Sequence, residues 1–298
     1  MASAELRTIR RRIRSIQSTM KITRAMELIA ASRISKAQAR IAAIQPYTRK
    51  MNEVVRNVAS ASEAKRHPLL QERELGTAGV VVVTSDRGLA GAYNSNVLRL
   101  AEKQAQVYRT ADDGVRIYAV GKKALQYFRY RKYEIGEAYI GVTDMPHYED
   151  AKRIADRLMA DYLVGEIDRV EVFATDFHSV LTQVPAWHPL LPVLPPEAKE
   201  GEAAIGYTFE PSPAEILDSL LPRYVESVLF GLLVGASASE HASRMRAMKN
   251  ATENADELVG TLSRKANQAR QAEITSEISE IVGGAVALAE ADEQGAHK

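Results

Sequence analysis

The stretch TSDRGLAGAYNSN, Thr84 to Asn96, holds the residues with the clearest chemical potential. Gly88 and Gly91 lie between a β-branched run and a helical stretch, a place where backbone N–H groups can cradle phosphate. The spacing fits neither G-x-G-x-x-G nor the lysine-bearing Walker A pattern. A tight strand-to-helix turn, with Asn94 or Ser95 capping the helix, accounts for the same residues and is the preferred reading. A nucleotide-binding enzyme built on this loop is a lesser alternative.

Other reactive groups are sparse. The six histidines, His67, His147, His178, His188, His241 and His297, show no metal-ligand spacing, so no metal site is expected. Asp144, His147, Glu149 and Asp150, beside Pro146, read as a solvated loop leading into a helix. Trp187 sits between prolines and reads as a packing anchor in a loop. No Ser/His/Asp set stands out. The absence of cysteine excludes a disulfide framework, a thiol nucleophile and Cys-ligated zinc or iron–sulfur centres, and fits a reducing compartment. As an enzyme the chain offers no candidate with a mechanism.

The strongest signal is charge. The net charge of +1 hides an asymmetry: residues 1–50 hold twelve Lys and Arg against Glu5 and Glu27, which leaves −9 for residues 51–298. The stretch KITRAMELIAASR, Lys21 to Arg33, is basic yet carries Met26, Leu28 and Ile29 on more than one side. A helix that only closes a core shows one apolar stripe. A basic arm on an otherwise acidic chain implies an acidic partner. A solvated face is the plain alternative, but such faces normally carry acids at i,i+4. Nucleic acid is another, although the basic residues spread around the helix and interleave with its apolar seam.

The elements that must carry these groups follow from periodicity. Steps of three and four from Leu6 reach Ile9, Ile13, Ile16 and Met20, and continue to Met51, Val55 and Val58; only Thr23, Glu27 and Thr48 break the apolar seam. That 3.5-residue repeat is a left-handed coiled-coil pattern, running about 80 Å, with Pro46 expected to kink it. Strand-like runs follow in VVVVT, Val115–Val120, Tyr133–Gly141 and Val170–Phe177, alternating with helical stretches, so an α/β domain with a largely parallel sheet is expected. The stretch from Val184 to Gly206, rich in Pro and Gly, reads as a loop.

A second long helix opens at Ser212-Pro213-Ala214-Glu215, a capping box with proline at the first helical position. It runs to about Ala291, bends near Pro222, and keeps the three–four rhythm at Ile274, Ile278, Ile281, Ala285 and Leu288. The predicted layout is a coiled-coil helix over 1–60, a Rossmann-like α/β domain over 76–205 and a coiled-coil helix over 212–291. The end seams satisfy each other as an antiparallel pair, with the α/β domain beside its base. No uncharged apolar run of 18 residues is seen and no membrane span is expected, nor is a secretion signal read at the N-terminus.

Four stretches carry a family resemblance: IRSIQSTMKITRAMELIAASRISKAQ, SDRGLAGAYNSN, RYVESVLFGLLVGASASEHASRMRAMKNATENA and NQARQAEITSEISEIVGGAVAL. Together they resemble the γ subunit of F-type ATP synthases over nearly the whole chain. The resemblance implies a non-catalytic rotor shaft inside a ring of three α and three β subunits, coupling proton flow at a membrane c-ring to ATP synthesis. It implies peripheral attachment at the cytoplasmic face of a bacterial plasma membrane.

It also implies roles for residues. Lys21, Arg24 and Met26 would meet acidic levers of β. Arg270 and Gln271, with Thr275 nearby, would engage a β catch loop. Ile278, Ile281 and Leu288 would sit in an apical bearing, and Tyr207, Phe209 and Glu210 would touch the ε subunit and the c-ring. No nucleotide, cofactor, metal or nucleic acid is expected to bind, and catalysis would reside in β. Ala90 stands where the family often has Cys, and no cysteine-bearing insert is present, so thiol regulation is not expected. The alternative that keeps the basic arm in view is a nucleic-acid-binding protein with an α/β regulatory domain.

Overall fold

A computed structural model describes the backbone over residues 2–59, 67–194 and 212–295. The order is α1 (Ala2–Ala59), a 3-10 turn (Pro68–Leu70), β1 (Thr77–Val83), α2 (Tyr93–Thr110), β2 (Gly114–Val120), α3 (Lys122–Tyr130), β3 (Glu134–Tyr139), α4 (Tyr148–Leu163), β4 (Arg169–Phe177), β5 (Gln183–Leu191) and α5 (Pro213–Gly295). The chain forms two compact units: Met1–Glu27 with Met248–Lys298, and Leu28–Ala247. Both long helices contribute to each.

Within Leu28–Ala247 the strands lie in the order β3-β2-β1-β4-β5. The first four are parallel and β5 is antiparallel to β4. The valine run of β1 is buried on both faces, as a central parallel strand requires. Ala78, Val80 and Val82 face α2 and α3 in one core, with Val97, Ala101 and Phe128. Val81 and Val83 face the other, with Ile154 and Leu158 of α4. That second core also takes Met51, Val55 and Val58 of α1 and Leu217, Leu221, Val225, Leu229 and Leu233 of α5. The α1 and α5 segments of this unit are therefore a covering layer of the sheet, not a neighbour to it. One 18-residue window of α5 reaches mean hydropathy 1.3, enough to cross a bilayer by composition. Leu217, Leu221, Leu229 and Leu233 are instead buried in the core shared with the sheet, and Leu220 and Leu232 are half-buried against it.

In the other unit α1 and α5 pair directly. Thr23 Oγ1 lies 2.7 Å from Thr252 Oγ1, and Leu6, Thr23, Leu262 and Ala266 are buried. The seam read along α1 is accurate at every described position: each step from Leu6 to Val58 is buried or half-buried, while Lys21, Ile22, Arg24 and Ala25 off the seam are exposed.

Two expectations need correction. The proline-rich stretch after Val184 is not all loop, since β5 occupies Gln183–Leu191. Among the described residues it pairs only with β4, and an edge strand tolerates Pro185 and Pro189 because it can turn its missing N–H groups away from the ladder. Trp187 lies on this strand rather than in a loop, and at 55% exposed it is not a core residue. Pro46 lies within α1 and Pro222 within α5, and each helix continues through its proline.

Candidate functional site

The Thr84–Asn96 loop is held by its own hydrogen bonds. Asn94 Oδ1 accepts from Ser85 N at 2.9 Å. Asp86 accepts from Lys122 N at 3.0 Å, Gly141 N at 2.9 Å and the Thr143 hydroxyl at 3.2 Å. Its carboxylate thus takes a free N–H at the start of α3 and ties this loop to the loop after β3. Gly121, at φ +94, is required just there: an added Cβ would stand 2.3 Å from Thr84 O. The expected cap of α2 is different. Ala92 is its N-cap, without a side-chain hydrogen bond; Ser95 donates to Ala92 O, and Asn94 ties the loop to Ser85. The sequence showed a turn, and the structure adds the carboxylate that ties it to the start of α3 and the loop after β3.

A second constellation was not expected. One carboxylate oxygen each of Asp144 and Glu240 and a His241 ring nitrogen lie within 4.8 Å of one another. Arg33 of α1 forms an ion pair with Asp144, and Arg244 Nη2 lies 2.6 Å from Glu240 Oε1. Two guanidiniums already neutralise the two carboxylates, so the group is an ion-pair network rather than a cation site. His241 Nε2 is 3.1 Å from the Asp144 carbonyl. A carbonyl only accepts, so Nε2 carries the proton and Nδ1 faces Arg244 at 3.5 Å. Burial lowers the His241 pKa below its ordinary 6.5 and keeps the ring neutral. Burial also raises the Glu240 carboxyl, opposed by Arg244, and raises the buried Tyr93 phenol beside them.

Asp144 does lie in the loop ahead of α4, but its carboxylate is tied to Arg33 rather than left to solvent alone. His147 and Asp150 do lead into a helix: Asp150 Oδ2 accepts from His147 N at 3.0 Å, closing the first turn of α4. The available signal for the missed cluster was Glu240 and Arg244 at i,i+4 inside a helical run of Ala, Ser and Leu, where charge is out of place unless paired.

The residues tied to the shaft lie in the helix-pair unit. Lys21 and Arg24 are exposed, Met26 is half-buried, and Arg24 makes only a long i,i+3 pair with Glu27 at 3.4 Å. Arg270, Gln271 and Thr275 are exposed, and the Thr275 hydroxyl donates back to Gln271 O. Ile278 and Ile281 are 56% and 71% exposed. With Thr23 set against Thr252, the Lys21–Met26 level and Arg270 are separated along α5 by roughly 27 Å, at 1.5 Å per residue. The candidate residues thus form successive levels along one helix pair, not one cluster. Leu288 lies on α5, with its side chain outside the described residues. Tyr207, Phe209 and Glu210 also lie outside them.

A long helix pair in one unit and a five-stranded, mostly parallel α/β sheet in the other define the class of fold. A family model described as ATP synthase matches residues 5–288. The ATP synthase gamma chain of Kineococcus radiotolerans is 49% identical over 296 residues, covering 96% of this chain and 98% of that one. That of Exiguobacterium sibiricum is 45% identical over 284 residues, covering 95% and 99%. This chain belongs to the ATP synthase gamma chain family. Its fold matches the rotor of the Euglena gracilis mitochondrial ATP synthase with a TM-score of 0.65, at 14% identity, over 91% of this chain and 99% of that one. It also matches a chain of the Tetrahymena thermophila central stalk and c-ring with a TM-score of 0.59, at 23% identity, over 77% and 99%.

Proposed function

We propose that this chain is the non-catalytic central rotor shaft of a proton-translocating F-type ATP synthase. It would transmit torque between a membrane c-ring and the catalytic sites of an α3β3 ring. The observation that carries this reading is the far end of α5. Its last buried apolar residues among those described are Leu262 and Ala266, yet the seam continues at Ile274, Ile278 and Ile281, with Val282 and Val286 beside it, all exposed. An apolar stripe of this length on a helix implies a partner that encloses it.

On this reading Ile278, Ile281 and Leu288 turn in an apical bearing. Arg270 and Gln271, with Thr275, engage a β catch loop, and Lys21, Arg24 and Met26 face acidic β levers. Tyr207, Phe209 and Glu210 form the foot against ε and the c-ring. Segments 1–60 and 212–291 are the shaft and 76–205 its anchoring domain. The chain works as a peripheral protein at the cytoplasmic face of a bacterial plasma membrane. Exposed charge pairs are each worth about 0–1 kcal/mol, so levers can push on the shaft without locking to it. The nucleic-acid alternative gains no support from relatives named for ATP synthase.

The test is reconstitution. The purified chain, mixed with α and β subunits, is expected to co-elute as one copy per three αβ pairs and to stimulate MgATP hydrolysis. Failure to co-elute with folded subunits of the same source would overturn the assignment.

A further inference from the structure

Open α/β sheets bind ligands outside the carboxyl ends of their strands, where the strand order reverses. In the Leu28–Ala247 unit a band of α5 makes contacts along this rim. Ser237 Oγ and His241 Nε2 donate to the Asp144 carbonyl, each at 3.1 Å. Ser239 Oγ donates to Thr175 O at 3.1 Å, and Arg244 Nη2 to Gly88 O at 3.3 Å. Arg246 Nη2 reaches Val180 O at 3.1 Å, Leu181 O at 2.8 Å and Gln183 Oε1 at 2.9 Å. The acceptors come from the loops after β1 and β3, from β4, and from the turn between β4 and β5 and the start of β5. Arg33 brings α1 to the same Asp144.

All but one of these acceptors are backbone carbonyls. A backbone carbonyl, unlike a side chain, has no rotamer to change. Buried Ala236, Ala238 and Ala242 let the helix backbone come close. The apolar core shared by α5 and the sheet resists separation, but apolar contact is non-directional and resists sliding weakly. Hydrogen bonds are directional and do resist it. Glu240, buried and with one carboxylate oxygen unpartnered, aims Arg244 at the rim.

We infer that the Ser237–Arg246 band of α5 is a torque clamp: its donors grip the carboxyl rim of the sheet, so that the α/β layers and the helix segments of this unit turn as one body. The inference rests on the rotor reading. Arg244 and Arg246 are positioning residues for it, and none of the clamp residues belongs to the lever, catch-loop, bearing or foot sets.

The experiment uses the whole complex in membrane vesicles and compares ATP-driven proton pumping with ATP hydrolysis. Arg246 is exposed, so Arg246→Ala should leave folding and assembly intact. Arg244→Lys keeps the charge beside Glu240 but shortens the reach to Gly88 O. Hydrolysis in the uncoupled complex is expected to persist in both variants. The pumping-to-hydrolysis ratio of Arg246→Ala is expected to fall to roughly a third, the scale of a factor set by one or two net hydrogen bonds. Arg246→Lys should recover part of that loss. An unchanged ratio in Arg246→Ala and Arg244→Lys would overturn the clamp. So would hydrolysis and pumping that fall in step, since that marks a role in the fold alone. If the unaltered chain fails to assemble with α3β3, the rotor reading falls and the clamp with it.

Discussion

The hydroxyls of Thr23 and Thr252 lie 2.7 Å apart, where the apolar seam of α1 is interrupted. Each is also within reach of its own helix, Thr23 of Met20 O at 3.0 Å and Thr252 of Met248 O at 2.9 Å. A hydroxyl has one proton to give. One threonine therefore bonds to its own turn while the other donates across the pair. The polar break is a cross-link that closes without an unsatisfied atom.

From this geometry, Thr23→Val should be mild. The remaining Thr252 keeps its bond to Met248 O, and valine matches the shape of threonine in the seam. The expected cost is under about 1 kcal/mol, and Thr23→Val with Thr252→Val together should be neutral or stabilising. Urea denaturation of the isolated chain checks both; a loss well above that figure would mean that the cross-link is worth more than a net hydrogen bond.

His241 makes stability depend on pH. Its folded pKa lies below the ordinary 6.5, so the unfolded chain binds the proton first as pH falls. The stability it contributes is fully present above about 6.5 and is lost as pH falls through that value toward the folded pKa. Glu240, whose pKa is raised, acts in the opposite sense: its burial cost is relieved as pH falls toward the carboxylate range. Asp144, Arg33 and Arg244 face the same ring. His241→Gln keeps a donor near the Asp144 carbonyl and cannot titrate, so its denaturation midpoint should decline less than that of the unaltered chain between neutral pH and pH 5. Parallel profiles would remove His241 as the source.

Asp86 closes three donors at once. Asp86→Ala leaves Lys122 N, Gly141 N and the Thr143 hydroxyl without it, at an expected cost of about 1–3 kcal/mol. Asp86→Asn, with one acceptor oxygen, should recover part of that. Calorimetry of the unaltered chain with MgATP should show no binding. A saturable heat that Asp86→Ala strengthens would revive the nucleotide-site reading.

Arg270 and Gln271 are exposed, so replacing either with alanine should change stability by no more than about 0.5 kcal/mol. In the assembled complex, each is expected to weaken coupling or ATPase turnover. Lys21→Glu with Arg24→Glu should slow turnover as well, since it sets like charges against the levers. Full turnover and pumping in all of these variants would remove the lever and catch-loop roles.

Much of this protein is determined by sequence alone, because its long helices bury residues by simple period. Every described seam position from Leu6 to Val58 is at least half-buried, and the valines of β1 announce a strand covered on both faces. The start of α5 was equally legible, since the Ser212 hydroxyl does accept from Glu215 N. What sequence alone missed is where context overrides local preference. Prolines argue against a strand unless the strand lies at an edge, and only the sheet order puts β5 there. Period alone does not say where a seam loses its partner: Ile274 and Ile281 read like Ile34, yet they are exposed while Ile34 is buried. The same holds for Asp144, which is 111 residues from Arg33 and 97 from His241. Their pairing depends on how three chain segments pack in space, and no spacing along the sequence encodes that distance.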